Sequence, residues 1–286
     1  MAVNVGAPEK KTGGWQVVGA SVAGTSHLQG NVPCHDSFRY KVLSPETVLV
    51  AVSDGAGSAA QPQIGSALAV ESAMTTLEKQ FSAKLPEHER DWRVLLQDVF
   101  HEAKAALERK AAETGIALRE YAATLIVLVL TKGWTVSGLI GDCAVVVLTA
   151  TESLESLCQP QKGEYANTTN FLTQDDALAR LDIRVLAESS KSAAVFSDGL
   201  LELALNISAN APYSPFFKPL FVFIEHVEQE QEAQNQLATF LNSERVNART
   251  DDDKTLILVH RNYAENPFCK ELNSERTQEN TNAGDN

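Results

Sequence analysis

The chain has 286 residues, of which 44% are hydrophobic and 21% charged, so it can bury the core of one large domain. Its formal net charge of −13 argues against non-specific binding to nucleic acid or to anionic membranes. The longest apolar stretch, 125–130, is too short to span a bilayer, and residues 1–11 lack the apolar region of a signal peptide. The 4 cysteines have no zinc-ligand spacing, so we expect a cytoplasmic protein with reduced thiols.

The first half of the sequence contains strand-like apolar runs followed by two long helical patterns. Residues 1–14 lack periodicity and are predicted to form a flexible N-terminal arm. The predicted strands are 15–23, 38–43 and 47–52, and the predicted helices are 62–81 and 91–114. Pro62 suits the first turn of a helix, and Gly115 suits the left-handed residue that follows one.

The second half is richer in strands and ends in a polar segment. The predicted strands are 122–130, 135–140, 144–148, 183–187, 193–196 and 255–260, and the predicted helices are 215–227 and 231–242. Residues 151–180 are predicted to form a long loop, and residues 263–286 a disordered polar tail. Because strands and helices do not alternate regularly, we expect antiparallel sheets covered by helices rather than a doubly wound parallel sheet.

Several of the strand-like runs begin or end next to an aspartate. The tripeptide Ser-Asp-Gly follows an apolar run at 53–55 and again at 197–199. Asp142 follows a third run, and Asp252 precedes the last one. Hard divalent cations take oxygen ligands from carboxylates and from main-chain carbonyls. The sequence therefore predicts that these aspartates form one acidic cluster that binds divalent cations.

Two other interpretations of these positions remain to be weighed. An Asp-Gly pair after a strand is most often a simple turn, but several such pairs at separate strand ends favour a common site. Residues 55–60 mimic a dinucleotide-binding glycine pattern. That interpretation is rejected, because Asp54 would repel a pyrophosphate and no strand–helix–strand unit follows.

The same segments resemble the type-2C (PPM) family of metal-dependent protein serine/threonine phosphatases, in its bacterial form. The matching segments occur in the family's order and span roughly residues 15–260. They are 24–27, 31–37, 52–58, 123–125, 141–143, 163–169, 196–200 and 252–256.

The resemblance implies a fold and a metal site. The fold would be of the α+β class, a four-layer α-β-β-α sandwich of two antiparallel sheets flanked by helices, formed by a PP2C-like domain at 15–262. The site would hold two Mn²⁺ or Mg²⁺ ions, with a possible third. The implied ligands are Asp54, which bridges both ions, the Gly55 carbonyl, Asp198, Asp252, Asp36 through bound water, and Asp142 at the weaker third site. Of these, Asp54, Asp198 and Asp252 are the implied catalytic residues.

The chain departs from the family's pattern at several positions. Asn31 stands where many members have an arginine that holds the substrate phosphate, a charge-assisted contact worth about 1.5–3 kcal/mol. His27 and Arg39 are the nearest candidates to replace it. Ala56 stands where eukaryotic members have a histidine thought to protonate the leaving group. Asp253 replaces a common asparagine and could tighten metal binding.

The leading hypothesis is a metal-dependent phosphatase acting on phosphoserine and phosphothreonine in proteins. A metal-activated water would attack phosphorus directly, without a phosphoenzyme. The expected partners are a phosphorylated protein substrate and a cognate Ser/Thr kinase, with no nucleic acid and no membrane. Two alternatives remain open: a catalytically weak pseudophosphatase that regulates by binding phosphoproteins, and a phosphohydrolase of small phosphate esters.

Overall fold

The computed structural model describes residues 13–82, 85–161, 169–206, 209 and 211–262. The expected arm at 1–14, apart from its last two residues, and the expected tail at 263–286 lie outside this part of the chain. Residues 163–168 of the matching segments also lie outside it. Among the described helices, none combines the length and the apolar character that a bilayer-spanning helix requires.

The described residues form two five-stranded sheets, a two-stranded ribbon and a set of helices. In chain order the strands are β1 (Gly14–Val22), β2 (Ser37–Ser44), β3 (Thr47–Ser53), β4 (Leu125–Thr131), β5 (Thr135–Ile140), β6 (Ala144–Leu148), β7 (Leu154–Cys158), β8 (Asp182–Leu186), β9 (Ser192–Phe196), β10 (Leu205–Asn206), β11 (Ala211–Pro212) and β12 (Lys254–Asn262). The α-helices are α1 (Thr25–Gly30), α2 (Pro62–Phe81), α3 (Glu89–Thr114), α4 (Leu201–Ala204), α5 (Ser214–Glu225), α6 (Glu230–Leu241) and α7 (Glu244–Asn247).

Both large sheets are antiparallel throughout. One has the strand order β1-β12-β9-β6-β7 and the other β2-β3-β4-β5-β8. The first and last strands pair along their whole length, from Gly14 opposite Asn262 to Val22 opposite Lys254. The two ends of the domain are therefore fixed to each other by a ladder of main-chain hydrogen bonds.

The central strands β3 and β4 are almost continuously apolar because both of their faces are buried. In β3, Val48, Val50 and Val52 belong to the core between the two sheets. The intervening Leu49 and Ala51 belong to a separate core beneath α2 and α3. Alternate side chains of one strand therefore fill two different layers of the molecule.

Helices cover the outer face of each sheet. α2 and α3 pack on the β2–β8 sheet through residues such as Met74, Trp92 and Phe100. α5 and α6 pack on the other sheet through residues such as Phe217 and Leu237. The predicted α+β fold, a four-layer sandwich of two antiparallel sheets between helices, is confirmed.

Most predicted elements are present, with shifts of a few residues at their ends, but two predictions are wrong. The loop expected at 151–180 contains the edge strand β7 and a 3₁₀ turn at Ala177–Arg180. The strand is short and mostly half-buried, so its sequence has little periodicity, and pairing with β6 stabilises it. The strand expected from residue 122 begins at Leu125, because the preceding residues contact the segment after β3.

Candidate metal centre

The aspartates at the strand ends meet at one end of the sandwich. Asp54 directly follows β3, Asp142 lies between β5 and β6, and Asp198 comes shortly after β9. Asp252 shortly precedes β12. These four side chains, together with Gly55, line a cavity of about 720 Å³. Neighbouring antiparallel strands run in opposite directions, so the end of one strand and the start of the next lie at the same edge.

Three of these carboxylates converge closely. Asp54, Asp142 and Asp198 each offer one oxygen, and the three oxygens lie within 4.8 Å of one another. Asp142 Oδ1 is buried without a hydrogen-bond partner among the described residues. Such a group of oxygens fits a divalent cation, because a bound ion would supply the missing partner.

Asp36 lies beside this group and is buried. Its Oδ2 accepts hydrogen bonds from Ser197 Oγ at 2.6 Å and from Thr255 Oγ1 at 2.7 Å. Its Oδ1 is buried and has no partner among the described residues. Two hydroxyl groups therefore fix the orientation of the carboxylate through one oxygen and leave the other oxygen without a partner among the described residues.

The main chain around Asp54 is held by the segment before β4. The Asp54 N–H donates to Thr124 Oγ1 at 2.9 Å, and the Thr124 N–H donates to the Asp54 carbonyl at 2.8 Å. A Cβ atom at Gly55 would overlap the Pro62 carbonyl at the start of α2, and one at Gly199 would overlap the Asp253 carbonyl. Both Ser-Asp-Gly glycines are therefore needed for close approach of the backbone.

Burial and mutual repulsion raise the pKa values of the clustered carboxyl groups. Burial is the largest cause for Asp54, whose pKa lies well above its ordinary value, followed by the charges of Asp36 and Asp198. Burial, followed by the charges of Asp142 and Asp252, raises the pKa of Asp198 to about 8. Burial also raises the pKa values of Asp36 and Asp142 to about 6. A cation bound among these groups would favour their ionised forms.

The two residues predicted to contact phosphate lie in different places. His27 lines the cavity, and its Nδ1 lies 2.9 Å from Asp253 Oδ1. The guanidinium of Arg39 forms an ion pair with Glu71 on α2, and Arg39 is not among the residues that line the cavity. Asn31 is the exposed left-handed residue that ends α1, with φ 57°, a conformation in which asparagine is favoured over arginine.

Sequence reasoning missed the structural role of Asp253. Its Oδ1 accepts the Gly24 N–H at 2.7 Å, and its Oδ2 accepts the His35 N–H at 2.6 Å. The carboxylate therefore ties the segment before β2 to the start of β12, in addition to contacting His27. The run of aspartates at 251–253 gives no sign of which one faces the cavity and which one binds the backbone.

Comparison with known proteins gives matches over most of the chain. The family model described as "Protein phosphatase 2C" matches residues 23–242. A curated relative, serine/threonine-protein phosphatase 3 of Escherichia coli (strain K12), is 36% identical over 252 residues, which cover 86% of this chain and 98% of the relative.

Solved structures of bacterial phosphatases have the same fold. A bacterial serine phosphatase superposes with a TM-score of 0.61 at 14% identity, over 87% of this chain and 99% of that one. A serine/threonine phosphatase from Staphylococcus aureus superposes with a TM-score of 0.57 at 15% identity, over 90% of this chain and 99% of that one.

Fold and site together describe a sandwich hydrolase with a carboxylate cluster at one end of its sheets. The family match and the 36% identical relative show that the chain belongs to the protein phosphatase 2C family and is a protein serine/threonine phosphatase. A phosphatase of this class acts on phosphorylated proteins. The alternative of a pseudophosphatase is not favoured by these relatives.

Proposed function

We propose that the chain hydrolyses phosphoserine and phosphothreonine with the help of Mn²⁺ or Mg²⁺, with water as the nucleophile and no phosphoenzyme. The observation that supports this most directly is the convergence of the Asp54, Asp142 and Asp198 oxygens within 4.8 Å. Their raised pKa values indicate that ionising these carboxyl groups without a cation is unfavourable.

The proposed ligands for two ions are Asp54, the Gly55 carbonyl, Asp198 and Asp252, with Asp36 acting through water and Asp142 serving a weaker third position. Ions bound there would lower the pKa of a water molecule and offset the charge of the phosphoryl oxygens. Ser197 and Thr255 hold one oxygen of Asp36, so that the other oxygen can accept a hydrogen bond from bound water.

The thiols of Cys34 and Cys143 support direct attack by water rather than by a cysteine of this part of the chain. Burial raises the pKa of the Cys34 thiol to about 12 and holds the pKa of Cys143 well above its ordinary value. A nucleophilic cysteine needs a lowered pKa, because the thiolate is the reactive form.

His27 is the better supported of the two candidates for the phosphate contact. Asp253 accepts from its Nδ1, so a ring that also carries a proton on Nε2 can donate from that nitrogen to a bound phosphate. Arg39 is paired with Glu71 and does not line the cavity. We therefore retain His27 as the proposed phosphate-binding residue.

The test is hydrolysis of a phosphothreonine peptide with and without Mn²⁺, in the wild type and in Asp198→Asn. We expect metal-dependent turnover in the wild type and a loss of at least about 100-fold in the variant, because a ligand and a charge are removed. Asp98→Asn, which changes an exposed aspartate on α3, is the matched control and should keep full activity. Turnover that does not depend on metal, or that survives in Asp198→Asn, would contradict the proposal.

The proposal also includes a cellular setting. A substrate phosphorylated on serine or threonine must be made by a kinase, so we infer a cognate Ser/Thr kinase acting on the same protein. The net charge of −13 and the composition are consistent with the cytoplasmic location expected from the sequence. Fractionation of cells expressing the tagged chain would test the location directly.

A further inference from the structure

A second group of potential metal ligands lies beside the acidic cluster. His27, His35 and Asp253 each offer one ligand atom, and the three atoms lie within 4.8 Å of one another. None of these residues belongs to the group formed by the converging aspartate oxygens. Because His27 and His35 line the 720 Å³ cavity, an ion could reach them from solvent.

The side chain of His35 points to a missing partner. The residue is 7% exposed, and its Nδ1 is buried without a hydrogen-bond partner among the described residues. Buried polar nitrogens in native proteins are nearly always satisfied, and an unsatisfied one calls for a water molecule or an ion. The ring of His27 lies next to it, with 4.3 Å between the two ring centroids.

The third ligand is held in place before any ion binds. The backbone N–H groups of Gly24 and His35 donate to opposite oxygens of Asp253, which fixes the plane of the carboxylate. His27 Nδ1 and Asp253 Oδ1 are 2.9 Å apart. Two ligands of a tetrahedral Zn²⁺ are separated by about 3.3 Å. A small displacement would therefore let an ion replace the proton that the two atoms share.

We propose that His27, His35 and Asp253 form a site for a borderline divalent ion of the Zn²⁺ type, distinct from the acidic Mn²⁺ or Mg²⁺ centre. Two imidazole nitrogens and one carboxylate suit Zn²⁺, whereas Mg²⁺ prefers oxygen ligands alone. Three protein ligands leave a fourth position for water or for an oxygen of a molecule in the cavity.

Occupancy of this site has a consequence for catalysis that rests on the proposed function. An ion bound at His27 Nδ1 takes the place of the proton there, adds positive charge and leaves the ring's proton on Nε2, the nitrogen proposed to face the substrate phosphate. Zn²⁺ should therefore change the Mg²⁺-dependent rate from a site other than the acidic cluster.

Calorimetric titration of the full chain with Zn²⁺ in excess Mg²⁺ tests the site itself. We expect Asp198→Asn to bind Zn²⁺ as the wild type does, and His35→Ala to bind it at least about tenfold more weakly. His101→Ala, which removes an exposed histidine of α3, is the matched control and should bind normally. Thermal unfolding of each variant without Zn²⁺ shows whether it is folded. If His35→Ala does not fold, Asp253→Asn serves as the second ligand variant.

Two results would overturn the proposed site: undetectable Zn²⁺ binding by the wild type, or binding that is lost in Asp198→Asn and kept in His35→Ala. The visible spectrum of Co²⁺ bound in place of Zn²⁺ adds a readout of ligand type, with a tetrahedral signature expected from the wild type. A change in the Mg²⁺-dependent rate on adding Zn²⁺, lost in His35→Ala, would support the catalytic consequence. Tight Zn²⁺ binding that leaves the rate unchanged would overturn that consequence alone. Absence of any metal-dependent turnover would contradict the proposed function but not the Zn²⁺ site. Calorimetry measures Zn²⁺ binding without relying on activity.

Discussion

Asp54 and Asp198 are buried beside other carboxyl groups whose charges disfavour their ionisation. Burial is the main cause of their raised pKa values, and the charges of nearby carboxyl groups add to it. Folding therefore places these groups in a less favourable environment than water offers their charged forms. A bound divalent cation would lower these pKa values, since it favours the charged form of every carboxylate around it.

This environment predicts how the stability of the metal-free protein depends on pH. The ordinary pKa of an aspartate here is 3.8, and burial with nearby carboxylates raises the pKa of Asp198 to about 8. Between these values the folded state binds more protons than the unfolded state, so the free energy of unfolding falls as pH rises. A shift of one pKa unit corresponds to about 1.4 kcal/mol, so the fall should be visible in urea denaturation in EDTA between pH 5 and 8.

Two controls accompany this pH measurement. Added Mn²⁺ should flatten the profile, because the ion stabilises the ionised carboxylates, and Asp198→Asn should flatten it without metal. A metal-free stability that rises with pH across this range would contradict the electrostatic account of the cluster.

At the scale of secondary-structure elements, the connections after β9 and before β12 determine where Asp198 and Asp252 lie. Gly199 packs against the backbone carbonyl of Asp253, so the two segments that carry these aspartates touch without an intervening side chain. A hydrogen bond from the Thr255 N–H to Ser197 Oγ at 3.0 Å joins the same two segments. The spacing between the two aspartates thus depends on a glycine that is not itself a ligand.

Gly199→Ala should therefore destabilise the protein and lower its activity. The new Cβ would displace the backbone of Asp253, and overpacking of this kind typically costs about 1–3 kcal/mol. Gly133→Ala is the matched control, because a Cβ there meets nothing within 4 Å. Urea denaturation and peptide hydrolysis measure the two effects, and equal stability of the two variants would refute the packing argument.

The elements that the sequence predicted well are those with strong patterns of their own. α2 and the strands β5 and β6 occur at the predicted residues, because a long amphipathic helix or a run of buried apolar residues is defined locally. β7 and α1 were missed for the opposite reason. A half-buried edge strand and a six-residue helix have too few buried positions to show a period, and tertiary contacts stabilise them.

At the scale of the whole molecule, pairing of β1 with β12 joins the two ends of the domain. The pair begins with Gly14 opposite Asn262, which are the limits of the strands. Trp15, Val17 and Val18 on β1 are buried in the cores on both faces of the sheet. The sheet therefore needs its N-terminal strand even though the aspartates of the candidate metal centre all come later in the chain.

This arrangement predicts which truncations the protein tolerates. A chain of residues 13–262 should keep metal-dependent turnover, with a free energy of unfolding within about 0.5 kcal/mol of the full chain, since both sheets remain complete. A chain of residues 23–262 should fail to fold, because it lacks β1 and exposes the buried surface that β1 covers. Circular dichroism and thermal unfolding distinguish the outcomes, and loss of folding in 13–262 would contradict the predicted boundary at 262.

The sequence by itself determined the fold class and the aspartates that meet at one end of the sheets. Buried strands and the residues at their ends are local features, and local features leave a pattern along the chain. The tertiary structure alone decided that Asp253 binds the backbone while its neighbour Asp252 faces the cavity, and that Arg39 turns away to Glu71. It also decided that His27 and His35 lie together. These roles depend on partners distant in sequence, such as His35 and Asp253, which are 218 positions apart, and a single sequence contains no record of such contacts.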